Sequence, residues 1–146
     1  METIVVGVDG SDGSTAALEF AAEEAALRKA PLRIVAAWDV PAAVYGSGFT
    51  PAVDAGTLEA LGGRMQELAE EAAETAKKLQ PSIEVEAAAV AGQPADVLLE
   101  RAAGAGLIVV GRRGLGGFKT LLLGSVSQQV VHHATCPVVV VNEPSS

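Results

Sequence analysis

Cysteine is almost missing from this chain. Cys136 stands alone, so no internal disulfide can form, and a single thiol is expected of a reducing, cytoplasmic setting. Aromatic residues are 3% of the sequence against 49% hydrophobic residues overall, so a core has to be built from Val, Ile, Leu and Ala. That aliphatic bias suits strands buried on both faces. No apolar run reaches the roughly 18 residues of a membrane helix, so no membrane partner is expected. The opening "METIVVGVDG" carries no basic leader, and no export is expected. Positive charge is also scarce: 10 Lys and Arg face 18 Asp and Glu, a net charge of −8, which argues against nucleic-acid binding by phosphate neutralisation.

What is present is an alternation. "TIVVGVD" reads as a buried strand entering the turn "GSDGS", and Ser14 is placed to cap the helix "TAALEFAAEEAALRK", with its acids early and Arg28 and Lys29 late. "LRIVAAWD" is a second strand. "VPAAVYGSGFTPAVDAGT" reads as a surface loop, and "LEALGGRMQELAEEAAETAKKL" as a long helix weakened at Gly62-Gly63. "EVEAAAV", "GLIVVG" and "PVVVV" complete five strands, with Pro94 opening the helix of "AGQPADVLLERAA" and another helix in "SVSQQVVHHA". Strands alternating with helices predict a doubly wound α/β fold, an open parallel sheet with helices on both faces. Without repeat, linker or low-complexity tract, residues 1–146 read as one domain.

Ligands of such sheets sit beyond the carboxyl ends of the strands, where the strand order reverses. Two strand ends carry unusual chemistry: Asp9 after the first, and "GRRGLGGFKTLLLGSVS" after the fourth, which holds three of the chain's ten cations, Arg112, Arg113 and Lys119. One reading is a flexible loop with an ordinary cap at Ser125. The other is a phosphate cradle, with glycines allowing close approach and a helix N-terminus supplying N–H groups. Gly111, Gly114, Gly124, Ser125 and Ser127 are spaced for the cradle. A Walker loop is excluded because Phe118, not Gly, precedes Lys119-Thr120. A dinucleotide fingerprint fails at Lys119, an EF-hand fails at Gly13 and Phe20, and no nucleophile elbow exists. His132 and His133 lie about 100° apart on a helix and read as a surface pair rather than a metal site.

The spacing G-x2-G-x9-G-S from Gly111 to Ser125 resembles that of the ATP-binding universal stress proteins. The likeness extends to "IVVGVDGS", "AGQPADVLLERA" and "CPVVVV", nearly the whole chain. It implies a Rossmann-like sheet in the order 3-2-1-4-5. It also implies ATP as ligand, with Mg²⁺ or Mn²⁺. Asp9 would lie at the adenosine end and Ala37 would offer main-chain contacts to adenine. Gly111, Arg113, Gly114, Gly124, Ser125, Val126 and Ser127 would surround ribose and phosphates. Asp9 has a second reading, as a turn residue satisfying nearby amides. Of the paired arginines, motif position favours Arg113. The chain departs from the pattern at Gly106, where an Asp commonly precedes the fourth strand.

The resemblance further implies a homodimer through the terminal strand, Pro137 to Val141, and a regulatory role in stress signalling with a partner protein. Two alternatives stay open: a slow ATPase or phosphotransferase, and a protein-interaction module without nucleotide. No catalytic residue is assigned, because Asp9 is at the wrong end to activate water and the histidines lie beyond the motif.

Overall fold

The Val- and Ile-rich runs become strands. The computed structural model describes residues 2–39, 55–112 and 123–142. In chain order the elements are β1 (Ile4–Gly7), α1 (Asp12–Arg28), β2 (Leu32–Trp38), α2 (Ala55–Leu79), β3 (Val85–Ala91), α3 (Pro94–Arg101), β4 (Leu107–Gly111), α4 (Ser125–His133) and β5 (Val138–Val141). The five strands pair in parallel in the order β3-β2-β1-β4-β5, as expected.

Side-chain alternation along each strand sorts the core into two layers. On one face Ile4, Val6, Ile34, Leu107 and Val109 meet α1 and α2 through Ala17, Ala21, Ala25, Ala69 and Ala76. On the other, Val5, Val35, Ile108 and Val110 meet α3 and α4 through Val97, Leu98 and Val130. The small alanine faces let α1 and α2 lie close to the sheet, so a core nearly free of aromatics still fills.

Three local details differ from the sequence reading. Helix α1 starts earlier than a Ser14 cap implies. Ser11 is the N-cap, its hydroxyl accepting from the Ser14 N–H at 3.1 Å. Helix α2 begins at Ala55 and runs unbroken through Gly62-Gly63. A Cβ on Gly62 would sit 3.3 Å from Cζ2 of Trp38, so this glycine makes room for the indole at the end of β2, whereas a Cβ on Gly63 meets nothing within 4 Å. At Gly106 a Cβ would come 2.6 Å from Oε2 of Glu2. An Asp there would crowd one carboxylate against another, and glycine relieves the conflict.

The sheet order brings the exits of β1 and β4 together, with Val6 directly opposite Val109. From there β1 feeds α1 on one face and β4 feeds α4 on the other. The strand exits diverge there, and this is where an open parallel sheet forms its ligand crevice.

Candidate functional site

Two helix N-termini flank this crevice, and they are finished differently. At α1 the positive end is already matched by an anion. Asp9 Oδ1 accepts from the Ser11 N–H at 2.9 Å and from the Ser11 hydroxyl at 2.5 Å. The Asp9 N–H donates to Ser14 Oγ at 3.2 Å, and Ser14 Oγ donates to the Ser11 carbonyl at 3.1 Å. This interlocked turn gives the carboxylate the helix-dipole role of a capping acid. Asp9 itself is half-buried.

At α4 the N-cap is Gly124, whose hydrogen side chain forms no cap bond. Its own N–H donates to the Arg112 carbonyl at 2.7 Å, and the first intrahelical bond runs from the Gln128 N–H to the Gly124 carbonyl at 3.0 Å. The N–H groups of Ser125, Val126 and Ser127 fall between these bonds, and they have no acceptor among the described residues. This is the arrangement that favours an anion. The Ser127 hydroxyl is turned inward, donating to the Arg112 carbonyl at 2.9 Å with the Gly124 carbonyl 3.1 Å away. Its contribution is to staple the start of α4 to the exit of β4, while the Ser125 side chain is exposed.

Gly111 ends β4 with a packing reason for having no side chain. A Cβ there would lie 2.7 Å from the Gly13 carbonyl oxygen and 2.8 Å from its carbon. Those are main-chain atoms of the first turn of α1, so glycine at 111 lets this turn approach the strand. Gly124 has φ −71° and ψ 167°, an extended backbone open to any residue. The residue is buried.

Ala37 stands across the crevice. The Val35 carbonyl accepts from the Val8 N–H at 2.9 Å on the β1 side, and the Trp38 carbonyl accepts from the Gly92 N–H at 2.8 Å on the β3 side. Ladder alternation therefore turns the N–H and carbonyl of Ala37 toward β1, beyond the point where its ladder with that strand ends. An amide donor and acceptor side by side suit the edge of a heteroaromatic ring.

The structure thus brings Asp9, Ala37, Gly111, Gly124, Ser125, Val126 and Ser127 to the carboxyl end of the sheet. Arg113, Gly114 and Lys119 lie outside the described residues. The atom Nε of Arg112 is buried and has no hydrogen-bond partner. No three His, Cys, Asp or Glu side chains converge as a metal site among the described residues, and His132 and His133 are both exposed. The Cys136 thiol is pushed above its ordinary pKa by burial and, second, by the nearby Glu2 carboxylate.

The fold and this crevice define a Rossmann-like α/β domain with one capped and one open helix terminus at its topological switch point. The universal stress protein family model matches residues 1–142, and the chain belongs to that family. It is 38% identical over 142 residues to a universal stress protein of Thermus aquaticus, covering 96% of this chain and 98% of that one. It also spans about half the length of several mycobacterial relatives, 45% in universal stress protein Rv2623 of Mycobacterium tuberculosis. Among solved structures it resembles a universal stress protein in complex with cAMP, at 32% identity, TM-score 0.70 and 98% coverage of both chains. A universal stress protein from Archaeoglobus fulgidus in complex with dAMP matches at 27% identity and TM-score 0.67, covering 96% of this chain and 97% of that one. No helix among the described residues is long and apolar enough to cross a membrane.

Proposed function

We propose that this chain binds adenine nucleotides, ATP foremost, in the crevice between the ends of β1 and β4. The observation that carries the reading is the uncapped α4 terminus, where the Ser125, Val126 and Ser127 amides stand ready for phosphate, while at α1 the Ser14 amide is capped by Ser11, which itself donates to Asp9. An ionised Asp9 repels phosphate but accepts from ribose hydroxyls, so phosphates belong at α4 and the sugar near Asp9. Adenine then meets the main chain of Ala37. Gly111, Arg113, Gly114 and Gly124 complete the enclosure. The cAMP and dAMP complexes of related proteins support this choice of base. A Mg²⁺ or Mn²⁺ ion would arrive on the phosphates, since such ions keep few protein ligands when bound with nucleotide.

The role is regulatory, in the cytoplasm, with nucleotide occupancy read by a partner protein. The working form is a homodimer joined along residues 137–141. Supporting this, β5 pairs with β4 alone, and all four of its valines are only partly buried, an edge that invites another strand.

Calorimetric titration with ATP and Mg²⁺ tests the reading, with Gly124→Ala and Gly124→Val beside the parent chain. Saturable binding should weaken with alanine and vanish with valine, both variants keeping the far-ultraviolet dichroism of the parent. A parent chain that binds neither ATP nor AMP overturns the proposal.

A further inference from the structure

One charged side chain at the crevice has no structural explanation. The main chain of Arg112 is fully engaged: its N–H donates to the Val141 carbonyl at 2.9 Å, and its carbonyl accepts from Gly124 N–H and Ser127 Oγ. The Cβ direction of Gly111 points at Gly13 on the α1 side, so Arg112, the next residue, projects to the side of α3 and α4. There its Nε–H is shut off from water with no acceptor. The ion pairs among the described residues are Arg28–Glu24 and Arg33–Glu86, so no described carboxylate neutralises it. The rest of the side chain is not fully buried, but a buried N–H donor left unpaired costs stability and calls for a reason.

We propose that Arg112 is the specificity-determining residue for phosphate charge, its Nε–H donating to a phosphate oxygen held beside the Ser125–Ser127 amides. The inference rests on the nucleotide reading above and adds to it the group that distinguishes one phosphate from another. Motif position favours Arg113, which lies outside the described residues; the buried, unpaired Nε of the half-buried Arg112 is the observation that brings this residue forward. The neutral amides of α4 recognise any phosphate, whereas a guanidinium adds a full charge and a directed donor. A terminal phosphate monoester carries about −1.5 to −2 near neutral pH. A cyclic phosphodiester carries a single charge and gains less. The site is thereby biased toward AMP over cAMP. In the nucleotide-free protein the unpaired donor is a stored cost that phosphate relieves, so Arg112 acts against stability and for binding.

The test is titration of the purified chain and its Arg112→Met and Arg112→Lys variants with AMP, cAMP and adenosine, with thermal melts of each without ligand. Methionine keeps the length of the side chain but removes charge and donor. Lysine keeps charge but lacks Nε–H. Arg28→Gln removes a positive charge from the opposite end of α1 as a control. We expect Arg112→Met to weaken AMP by about tenfold to a hundredfold. cAMP should weaken by a smaller factor, adenosine should change little, and the melting temperature of the free protein should rise. Arg112→Lys should recover only part of the AMP affinity. Undiminished AMP affinity in Arg112→Met overturns the proposal. So does an equal loss for AMP, cAMP and adenosine, or a lowered melting temperature with unchanged AMP-to-cAMP preference, which would mark a structural arginine. A parent chain that binds none of the three overturns the underlying nucleotide reading, a result separate from selective failure of the variants.

Discussion

Gly111→Ala separates a packing glycine from a ligand-approach glycine. The added methyl would lie 2.7 Å from the Gly13 carbonyl oxygen and 2.8 Å from its carbon, with the Gly13 Cα at 3.2 Å. Comfortable carbon contacts are about 3.5–4.0 Å, so the overlap is well beyond what soft contacts absorb. Because the opposing atoms are main chain, no rotamer change relieves it, and the first turn of α1 has to shift. Overpacking of this kind costs about 1–3 kcal/mol. For a domain of this size each kcal/mol is worth about 2–4 °C, so the nucleotide-free melting temperature should fall by about 2–12 °C. Thermal unfolding followed by circular dichroism, with no nucleotide present, measures this directly. The same shift moves Ser11, and with it the hydrogen bonds that hold Asp9. An unchanged melting temperature with lost nucleotide binding would refute the packing argument and leave Gly111 as a ligand-facing residue only.

Other expectations follow from neighbouring contacts. Gly63→Ala should stabilise by about 0.8–1 kcal/mol in urea unfolding, the full helix-propensity gain, because its Cβ meets nothing; Gly62→Ala should gain less and shift the emission of Trp38. Ser127→Ala should cost about 1 kcal/mol in the same assay through the lost bond to the Arg112 carbonyl. Cys136 should react with a disulfide reagent at pH 8 more slowly than free cysteine, and Glu2→Gln should speed it, since burial and then Glu2 hold the thiol protonated. As the folded pKa is the raised one, this contribution to stability is complete below the ordinary thiol pKa and is lost as pH climbs through the folded value.

The strands and their parallel alternation were legible because β-branched runs and alanine-faced helices follow periods that need no partner to be read. The order 3-2-1-4-5 came from the family likeness, since periodicity does not say which strands are neighbours. Turn chemistry was ambiguous in "DGSDGS", where several residues are fit to cap, and only the bonds from Ser14 to Ser11 single out Ser11. Gly62 looked like a loose point and Gly106 like an unexplained departure because their reasons lie far along the chain, in Trp38 and Glu2. Asp9, Ala37, Gly111 and Gly124 to Ser127 lie at one end of the sheet, as the adjacent strand ends imply, and the local reasons for them divide. Gly111 is required by α1, Ser127 by the exit of β4, and Asp9 by the turn it closes. Choosing between Arg112 and Arg113 depends on which residue continues the pleat of β4, and on what lies over it.

The most direct test of the central claim is the backbone amide spectrum of the isotopically labelled chain during titration with AMP. Phosphate at the uncapped terminus predicts that the largest downfield shifts fall on Ser125, Val126 and Ser127, with a second group at Ala37. Shifts centred on Gly13 and Ser14 of α1, or spread without focus, would contradict it.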